Sequence, residues 1–156
     1  MSGGESLPVH KDSPGMLSGK PLRLTSGHTR WSIHAISRDQ KMLLRLQRGG
    51  PSAWMHPADM ASRGLVDNDR IRVFNDHGAF EARVRPGSRM QPGMVQIYHA
   101  WEPYQFKKWQ GQQAPIAAPW KPLHLAGGYA QLHYRMYYGS PGHNPRGVGV
   151  EVEKVV

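Results

Sequence analysis

The sequence contains no cysteine. Disulfides, thiolate zinc sites and iron–sulfur ligation by this chain are therefore excluded. No apolar run approaches the roughly 18 residues that a membrane-spanning helix needs. The N-terminal stretch MSGGESLPVHKDSPG also lacks the apolar centre of a signal peptide. We expect residues 1–20 to form a flexible lead-in and residues 21–156 to form one domain, a usual size for a domain.

Acidic residues are scarce, with 11 Asp and Glu against 20 Lys and Arg, which gives a formal net charge of +9. Such a balance suits an anionic partner, which could be nucleic acid, a membrane surface, a phosphorylated ligand or an acidic protein. It also fits a basic surface that has no partner. Hydrophobic residues make up 38%, and 18 glycines and 13 prolines favour short strands and ordered loops over long helices.

Alternating apolar residues predict a mainly β domain with one or two short helices. Helices are predicted within 35–48, where Met42, Leu43 and Leu46 share a face, and at PADMASRG, where Gly64 ends the helix. The predicted strands are LRLT (22–25), SAWMH (52–56), a hairpin over 70–86, PGMVQIYHAW (92–101) and VGVEVEKVV (148–156). Residues 102–121 show no period and are predicted to form a long ordered loop. So many short strands favour a barrel or a sandwich.

The stretch TSGHTRWSIH (25–34) concentrates hydrogen-bonding groups directly after a predicted strand. Arg30 can donate two hydrogen bonds to a phosphate, and the backbone amides of the stretch can form an anion-binding nest. Trp31 can cover a heterocycle, while His28 and His34 can donate or accept hydrogen bonds. The alternative is a surface turn with satisfied polar groups, in which the tryptophan only packs.

Neither a metal site nor a catalytic set is indicated. His28 and His34 are six residues apart, and neither has a histidine or carboxylate at a usual metal-ligand spacing. A hydrolase built on Ser32 and His34 would lack a third group and an oxyanion hole. The sequence has no nucleophile elbow, P-loop or paired-histidine zinc motif. We therefore predict no catalytic and no metal-ligating residue in this chain.

Two further stretches carry polar and aromatic groups. HAWEP (99–103) places His99, Trp101 and Glu102 at the end of a predicted strand, where side chains often face a ligand. The other interpretation is a tryptophan that covers the core. Residues 127–147 are dense in tyrosine, histidine and glycine, and aromatics interleaved with arginine can stack on bases or simply pack. A free-standing basic module that binds nucleic acid therefore stays open as the alternative.

The order of these motifs resembles the C-terminal dinucleotide-binding domain of the molybdopterin oxidoreductases of the dimethyl sulfoxide reductase superfamily. The resemblance covers about residues 22–155 and rests on GHTRWSIHA, LQRGGPSAWMHPADMASRGLVDNDRIRVFNDHGAFEARVRP, PGMVQIYHAWE and HLAGGYAQLHYRMYYG. The long middle block recurs across the superfamily. The first and last motifs resemble the branch that contains nitrate reductase catalytic subunits, ethylbenzene dehydrogenase and dimethyl sulfide dehydrogenase.

This resemblance implies a double-psi β-barrel, whose loops converge on one rim. It also implies a cofactor, bis(molybdopterin guanine dinucleotide) with molybdenum. The main cofactor loop and the further contacts that it implies are Ser26, His28, Thr29, Arg30, Trp31, Ser32, His34, Asn75, His99, Glu102, Tyr129 and Asn144. Arg30 and the two histidines of the loop are then expected to face an open cleft and not a packed interior.

In that family the protein ligand to molybdenum, the iron–sulfur cysteines and most of the substrate funnel belong to domains N-terminal to this one. We therefore expect a domain that is catalytically silent alone and that exposes a patch where the remaining domains of the catalytic subunit dock. An iron–sulfur subunit is a further expected partner, and direct contact with a membrane is not expected. The substrate stays open among several oxyanions, dimethyl sulfide and hydrocarbons. The expected compartment is the periplasm or cytoplasm of a prokaryote, with the periplasm favoured.

Overall fold

Short runs of alternating apolar and polar residues form six strands in the computed structural model, which describes residues 19–116 and 147–155. The elements are β1 (Leu22–Gly27), α1 (Lys41–Leu46), β2 (Ser52–Met55), α2 (Pro57–Ala61), β3 (Arg70–Phe74), β4 (Ala79–Pro86), β5 (Met94–Tyr98) and β6 (Val148–Lys154). Two 3₁₀ turns, Pro103–Gln105 and Lys107–Trp109, lie in the stretch after β5. The proposed lead-in falls almost wholly outside the described residues.

The strands form a closed barrel in the order β1-β5-β2-β4-β3-β6. Two of the pairings are parallel, β1 with β5 and β2 with β4, and the other four are antiparallel. The alternation predicted a mainly β domain with one or two short helices, and the resemblance implied a double-psi β-barrel; the closed six-stranded barrel with two short helices confirms this fold class.

The inward side chains of every strand form the core. In β6, for example, Val148, Val150 and Val152 are buried. In the second half of this strand they alternate with Glu151 and Glu153, which lie on the outside. Because successive side chains of a strand point to opposite faces, the alternation read in the sequence is enough to define which residues fill the barrel. The fully buried members include Met55, Ile71, Val73, Val84 and Val95, each with no exposed area.

The helix predicted within 35–48 is much shorter in the structure. Only Lys41–Leu46 is helical, and this helix buries no residue; Met42 is 76% exposed. Residues 33–40 form successive tight turns instead, in which the amide of Arg38 donates to the carbonyl of Ala35 at 3.2 Å. The turns bring the Arg38 side chain into the interior. The burial of this side chain overrides the helical pattern of the local sequence.

The second helix matches its prediction. Pro57 occupies the first turn of α2, and Nδ1 of His56 accepts a hydrogen bond from the amide of Ala58 at 3.1 Å. Gly64 adopts a φ of +62°, the left-handed conformation that ends many helices. In the described part of the chain, no helix has the length and apolar character required to cross a bilayer.

The stretch after β5 is ordered as predicted over its described part, residues 102–116. Phe106 is buried and meets Phe80 edge to face, with ring centroids 5.9 Å apart. Further along, the backbone comes so close to Gly78 that a Cβ there would lie 2.5 Å from the carbonyl oxygen of Ala114. The stretch therefore runs against the barrel wall.

We expect the ion pair between Arg63 and Glu151 to make the barrel more stable at neutral than at acidic pH. Burial tends to raise the pKa of Glu151, but hydrogen bonds from Arg63 Nε and from the amide of Val152, both 2.8 Å, leave this pKa below its ordinary value. Because the folded-state pKa is the lower one, the stabilisation is complete above the unfolded pKa and is lost as the pH falls through the folded pKa. Glu151→Gln should cost about 0.5–1 kcal/mol near neutral pH.

Urea unfolding at several pH values checks this expectation. The difference between wild type and Glu151→Gln should shrink towards zero as the solution is acidified. Glu153→Gln is the matched control, because its pair with Arg72 is about half exposed on both sides and such pairs contribute little. A difference for Glu151→Gln that stays constant with pH would contradict the role of the ion pair.

Candidate functional site

The parallel strands β1 and β5 end side by side, with Gly27 opposite Tyr98. The residues that follow both strands therefore emerge at the same rim of the barrel. These residues are His28 on one side and His99 on the other, and the amide of His99 still donates to the carbonyl oxygen of Gly27 at 3.1 Å. The topology thus brings two of the predicted site residues together across 71 positions of sequence.

Three imidazoles meet at this rim, and we call them the histidine cluster: His28, His34 and His99. The ring centroids lie 4.3 Å apart between His28 and His99, 5.1 Å between His34 and His99, and 5.5 Å between His28 and His34. All three contacts are edge to face. His28 and His34 are exposed and His99 is half-buried, so the cluster forms an open polar surface. The left-handed backbone of His34, with a φ of +50°, belongs to the turn that carries its ring to the other two.

Two hydrogen bonds of His99 determine where its protons lie. The carbonyl oxygen of Gly27 can only accept, so Nδ1 of His99, 2.8 Å away, carries a proton. In the neutral ring Nε2 is then an acceptor, and Nδ1 of His34, at 3.1 Å, is the donor. The neutral pair leaves Nε2 of the exposed His34 as an acceptor that a planar N–H donor can reach.

The cationic and aromatic groups of the predicted loop lie beside the cluster in sequence. Arg30 is exposed, and its guanidinium carbon lies 6.0 Å from the ring centre of Trp31. The amide of Trp31 donates to the hydroxyl oxygen of Thr29 at 3.3 Å, which holds the loop in a tight turn. The guanidinium of Arg30 is therefore exposed beside an aromatic face, where it is accessible to an anion.

The two serines of the loop differ in their surroundings. Ser26 belongs to β1, opposite Ile97, and is half-buried. Ser32 carries a buried hydroxyl oxygen with no hydrogen-bond partner among the described residues. A buried polar atom without a partner costs free energy. Ser32 therefore offers an unused hydrogen-bonding group in the loop, directly after Arg30 and Trp31 in sequence.

Sequence reasoning missed Arg38, which holds the rim together. Its side chain is 1% exposed, and it donates to the carbonyl oxygen of His99 at 2.6 Å and to Oε1 of Gln47 at 3.0 Å. The guanidinium also lies 4.0 Å from the ring centre of Trp101. Burial lowers the pKa of Arg38 from its ordinary value. An arginine in a polar turn gives no hint of this position, because its partners are far away in sequence.

Gln105 was missed for the same reason. Its amide nitrogen donates to the carbonyl oxygen of Arg38 at 2.9 Å, and its amide oxygen accepts from the amide of Glu102 at 3.0 Å. Glu102 itself is exposed on the far side of this contact. Of the two interpretations of Trp101, the tryptophan that covers the core is the one observed: it is buried and supplies the aromatic face for Arg38.

Asn75 lies apart from the histidine cluster. It is buried, and its Nδ2 donates to the carbonyl oxygens of Pro115 at 2.8 Å and Gly149 at 3.0 Å. Gly149 is opposite Arg23, at the start of β1, whereas the cluster lies beyond the end of that strand. Tyr129 and Asn144 fall outside the described residues.

The rim as a whole combines hydrogen-bond donors and acceptors, one exposed cation and an aromatic face. Within residues 19–116 and 147–155, no group of three or more histidine, aspartate or glutamate side chains is arranged to hold a metal ion. The geometry suits a flat, polar ligand that also carries negative charge.

Comparison with known proteins gives a family and a fold. Residues 22–124 match the family model described as Molydopterin dinucleotide binding domain. In the search of solved structures, acetylene hydratase from Pelobacter acetylenicus matches with a TM-score of 0.64 at 18% identity, covering 86% of this chain and 18% of that chain. At this identity the match shows the barrel fold alone.

Three curated proteins illustrate the sequence matches. Dimethylsulfide dehydrogenase subunit alpha of Rhodovulum sulfidophilum is 32% identical over 96% of this chain, and perchlorate reductase subunit alpha of Dechloromonas aromatica is 38% identical over 98%. Respiratory nitrate reductase 1 alpha chain of Escherichia coli is 37% identical over 80%. The matched region spans only 17%, 16% and 11% of these proteins, respectively.

Proposed function

This chain belongs to the Molydopterin dinucleotide binding domain family, and on that premise we propose that the rim with the histidine cluster binds and orients bis(molybdopterin guanine dinucleotide). The observation that carries the proposal is the exposed histidine cluster next to Arg30 and Trp31. The parallel strands β1 and β5, which end together, bring His28 and His99 of this cluster to the same rim.

The residues of the rim fit such a cofactor. Guanines and pterins present several donors and acceptors in one plane, which suits Nε2 of His34 and the unused hydroxyl of Ser32. A pyrophosphate carries dense negative charge, which suits the exposed guanidinium of Arg30 and a chain of net charge +9. Trp31 can cover one face of a ring. Ser26, Thr29 and Glu102 complete the proposed contact set at the rim. Asn75, which is buried and hydrogen-bonded to backbone groups near the other end of β1, is not part of it.

When bound, the molybdenum-bearing cofactor supplies the redox chemistry. This chain would contribute binding, orientation and exclusion of water, and we propose that it is catalytically silent alone. We further propose that the partners of this chain are the other domains of a molybdenum oxidoreductase and an iron–sulfur subunit. The proposed compartment is the periplasm of a prokaryote. The basic nucleic-acid-binding alternative gains no support from the family match or the relatives.

Binding of the cofactor to the full chain tests the proposal. Isothermal titration of the chain with the purified dinucleotide cofactor should give an affinity that Arg30→Ala combined with His34→Ala lowers about tenfold, since a charge-assisted and a neutral hydrogen bond are lost. Competition with GMP and with AMP separates the guanine form from a different nucleotide, because only GMP should displace the cofactor efficiently.

A double variant elsewhere on the surface provides the control. Arg89→Ala combined with His77→Ala removes the same two residue types from exposed positions outside the rim. This control should bind as wild type does. Equal affinities for wild type and both double variants, or equal losses of affinity in the two variants, would contradict the assignment of the cofactor site to the rim.

A further inference from the structure

A concave site apart from the histidine cluster lies on the barrel. It is a pocket of about 370 Å³, and its charged lining consists of Arg48, Arg70, Arg83 and Lys107 with the single carboxylate of Glu81. None of the three rim histidines lines it. We call it the basic pocket.

The cations of the basic pocket repel one another. Arg70 and Arg83 are directly opposite on the antiparallel strands β3 and β4, an arrangement that destabilises a sheet when the charges are alike. Among the described residues, no carboxylate lies within ion-pair distance of either of them or of Lys107. Arg83 is further oriented by donating to the carbonyl oxygen of Asn68 at 2.9 Å. Arg48 pairs with Asp67 at 3.1 Å, so the positive charge that this part of the chain leaves without an ion-pair partner is that of Arg70, Arg83 and Lys107.

Exposed apolar side chains lie next to the pocket in sequence. Tyr104 and Trp109, on either side of Lys107, are 53% and 71% exposed, with ring centroids 6.5 Å apart. Leu46, two residues before Arg48, is 54% exposed. Arginine and large aromatic residues together are the composition of protein–protein contact surfaces, in which aromatic and arginine anchors carry much of the binding energy.

We propose that the basic pocket docks an acidic protein segment, with carboxylates that meet Arg70, Arg83 and Lys107 and an apolar side chain that packs on Tyr104 or Trp109. The occupant is a segment of the larger protein in which such a domain resides, since the matched region is at most 17% of the relatives described above. A small anion would leave the aromatic surface unused.

Titration of the full chain with a blocked peptide of six glutamates and one central leucine tests the proposal. Wild type should bind this peptide measurably, and Arg70→Glu should weaken binding at least about tenfold, because the change reverses a charge in the lining of the pocket. Arg89→Glu, the same reversal at an exposed position that does not line the pocket, should change the affinity less than twofold. A peptide with glutamine in place of glutamate should not bind.

Other outcomes overturn the proposal. They are no detectable peptide binding, equal effects of Arg70→Glu and Arg89→Glu, pyrophosphate that binds as tightly as the peptide, and single-stranded oligothymidylate that binds more tightly. The last two would show a small-anion site or a nucleic-acid surface instead.

Misfolding cannot explain the expected loss, because Arg70→Glu replaces a repulsive cross-strand pair by an attractive one. The midpoint of thermal unfolding should rise by roughly 2 °C while peptide binding falls. Binding of the dinucleotide cofactor should be unchanged in this variant. Failure of the docking proposal and failure of the proposed cofactor function would therefore be seen in separate titrations.

Discussion

Replacement of Arg38 with alanine is expected to lower the free energy of unfolding by about 3 kcal/mol. The change removes two hydrogen bonds, to the carbonyl oxygen of His99 and to Oε1 of Gln47, and the cation–π contact with Trp101. It also leaves the two oxygens without their donor and opens a cavity beside a tryptophan. Denaturation by guanidinium chloride, monitored by tryptophan fluorescence and circular dichroism, measures the loss.

Two comparisons isolate the role of the guanidinium. Arg38→Met keeps an apolar stem against Trp101 and removes the cost of a buried charge, so it should destabilise less than alanine does. Arg45→Ala removes an exposed arginine from α1 and should change stability by no more than about 0.5 kcal/mol. If Arg38→Ala behaves like Arg45→Ala, Arg38 does not hold the rim.

Replacement of Asn75 with aspartate should destabilise the barrel by a similar amount, about 3 kcal/mol. The amide oxygen of Asn75 accepts from the amides of His77 and Gly78, at 2.9 and 3.3 Å, and a carboxylate can do the same. It cannot donate to the carbonyl oxygens of Pro115 and Gly149, which the Asn75 amide nitrogen reaches at 2.8 and 3.0 Å. Negative charge would then face two buried acceptors.

The pH dependence of this variant distinguishes charge repulsion from a general packing defect. A carboxyl group held against carbonyl oxygens has a folded-state pKa above the unfolded one, so its cost appears as the pH rises and shrinks in acid. Asp76→Asn is the matched control one residue away, because the Asp76 side chain is 73% exposed. A loss for Asn75→Asp that is the same in acid and at neutral pH would contradict the hydrogen-bond assignment.

The strands could be predicted from the sequence because each carries its own period. Val148, Val150 and Val152 alternate with outward residues, and nothing outside β6 is needed to see it. The helix within 35–48 was overestimated because its apolar residues have a helical spacing, yet Met42 and Leu46 face solvent. Local pattern does not show whether an apolar face has a partner in the chain.

The site divides in the same way. The composition of residues 25–34 was enough to single out His28, Arg30 and His34 as ligand-binding candidates. Their meeting with His99 depends on the parallel pairing of β1 and β5, which no local period encodes. Arg38 contacts His99 from 61 positions away, and a buried arginine within a turn looks like any solvated one in the sequence.

The closed order of the strands has a consequence for biosynthesis. β1 has β5 on one side and β6 on the other, so the first described strand depends on the last for its second neighbour. While the ribosome has released only the first five strands, β1 and β3 both present unpaired edges, and such edges invite aggregation. The barrel can close only after Val148–Lys154 has left the exit tunnel, and until then the nascent chain is a natural client for chaperones that shield unpaired strands.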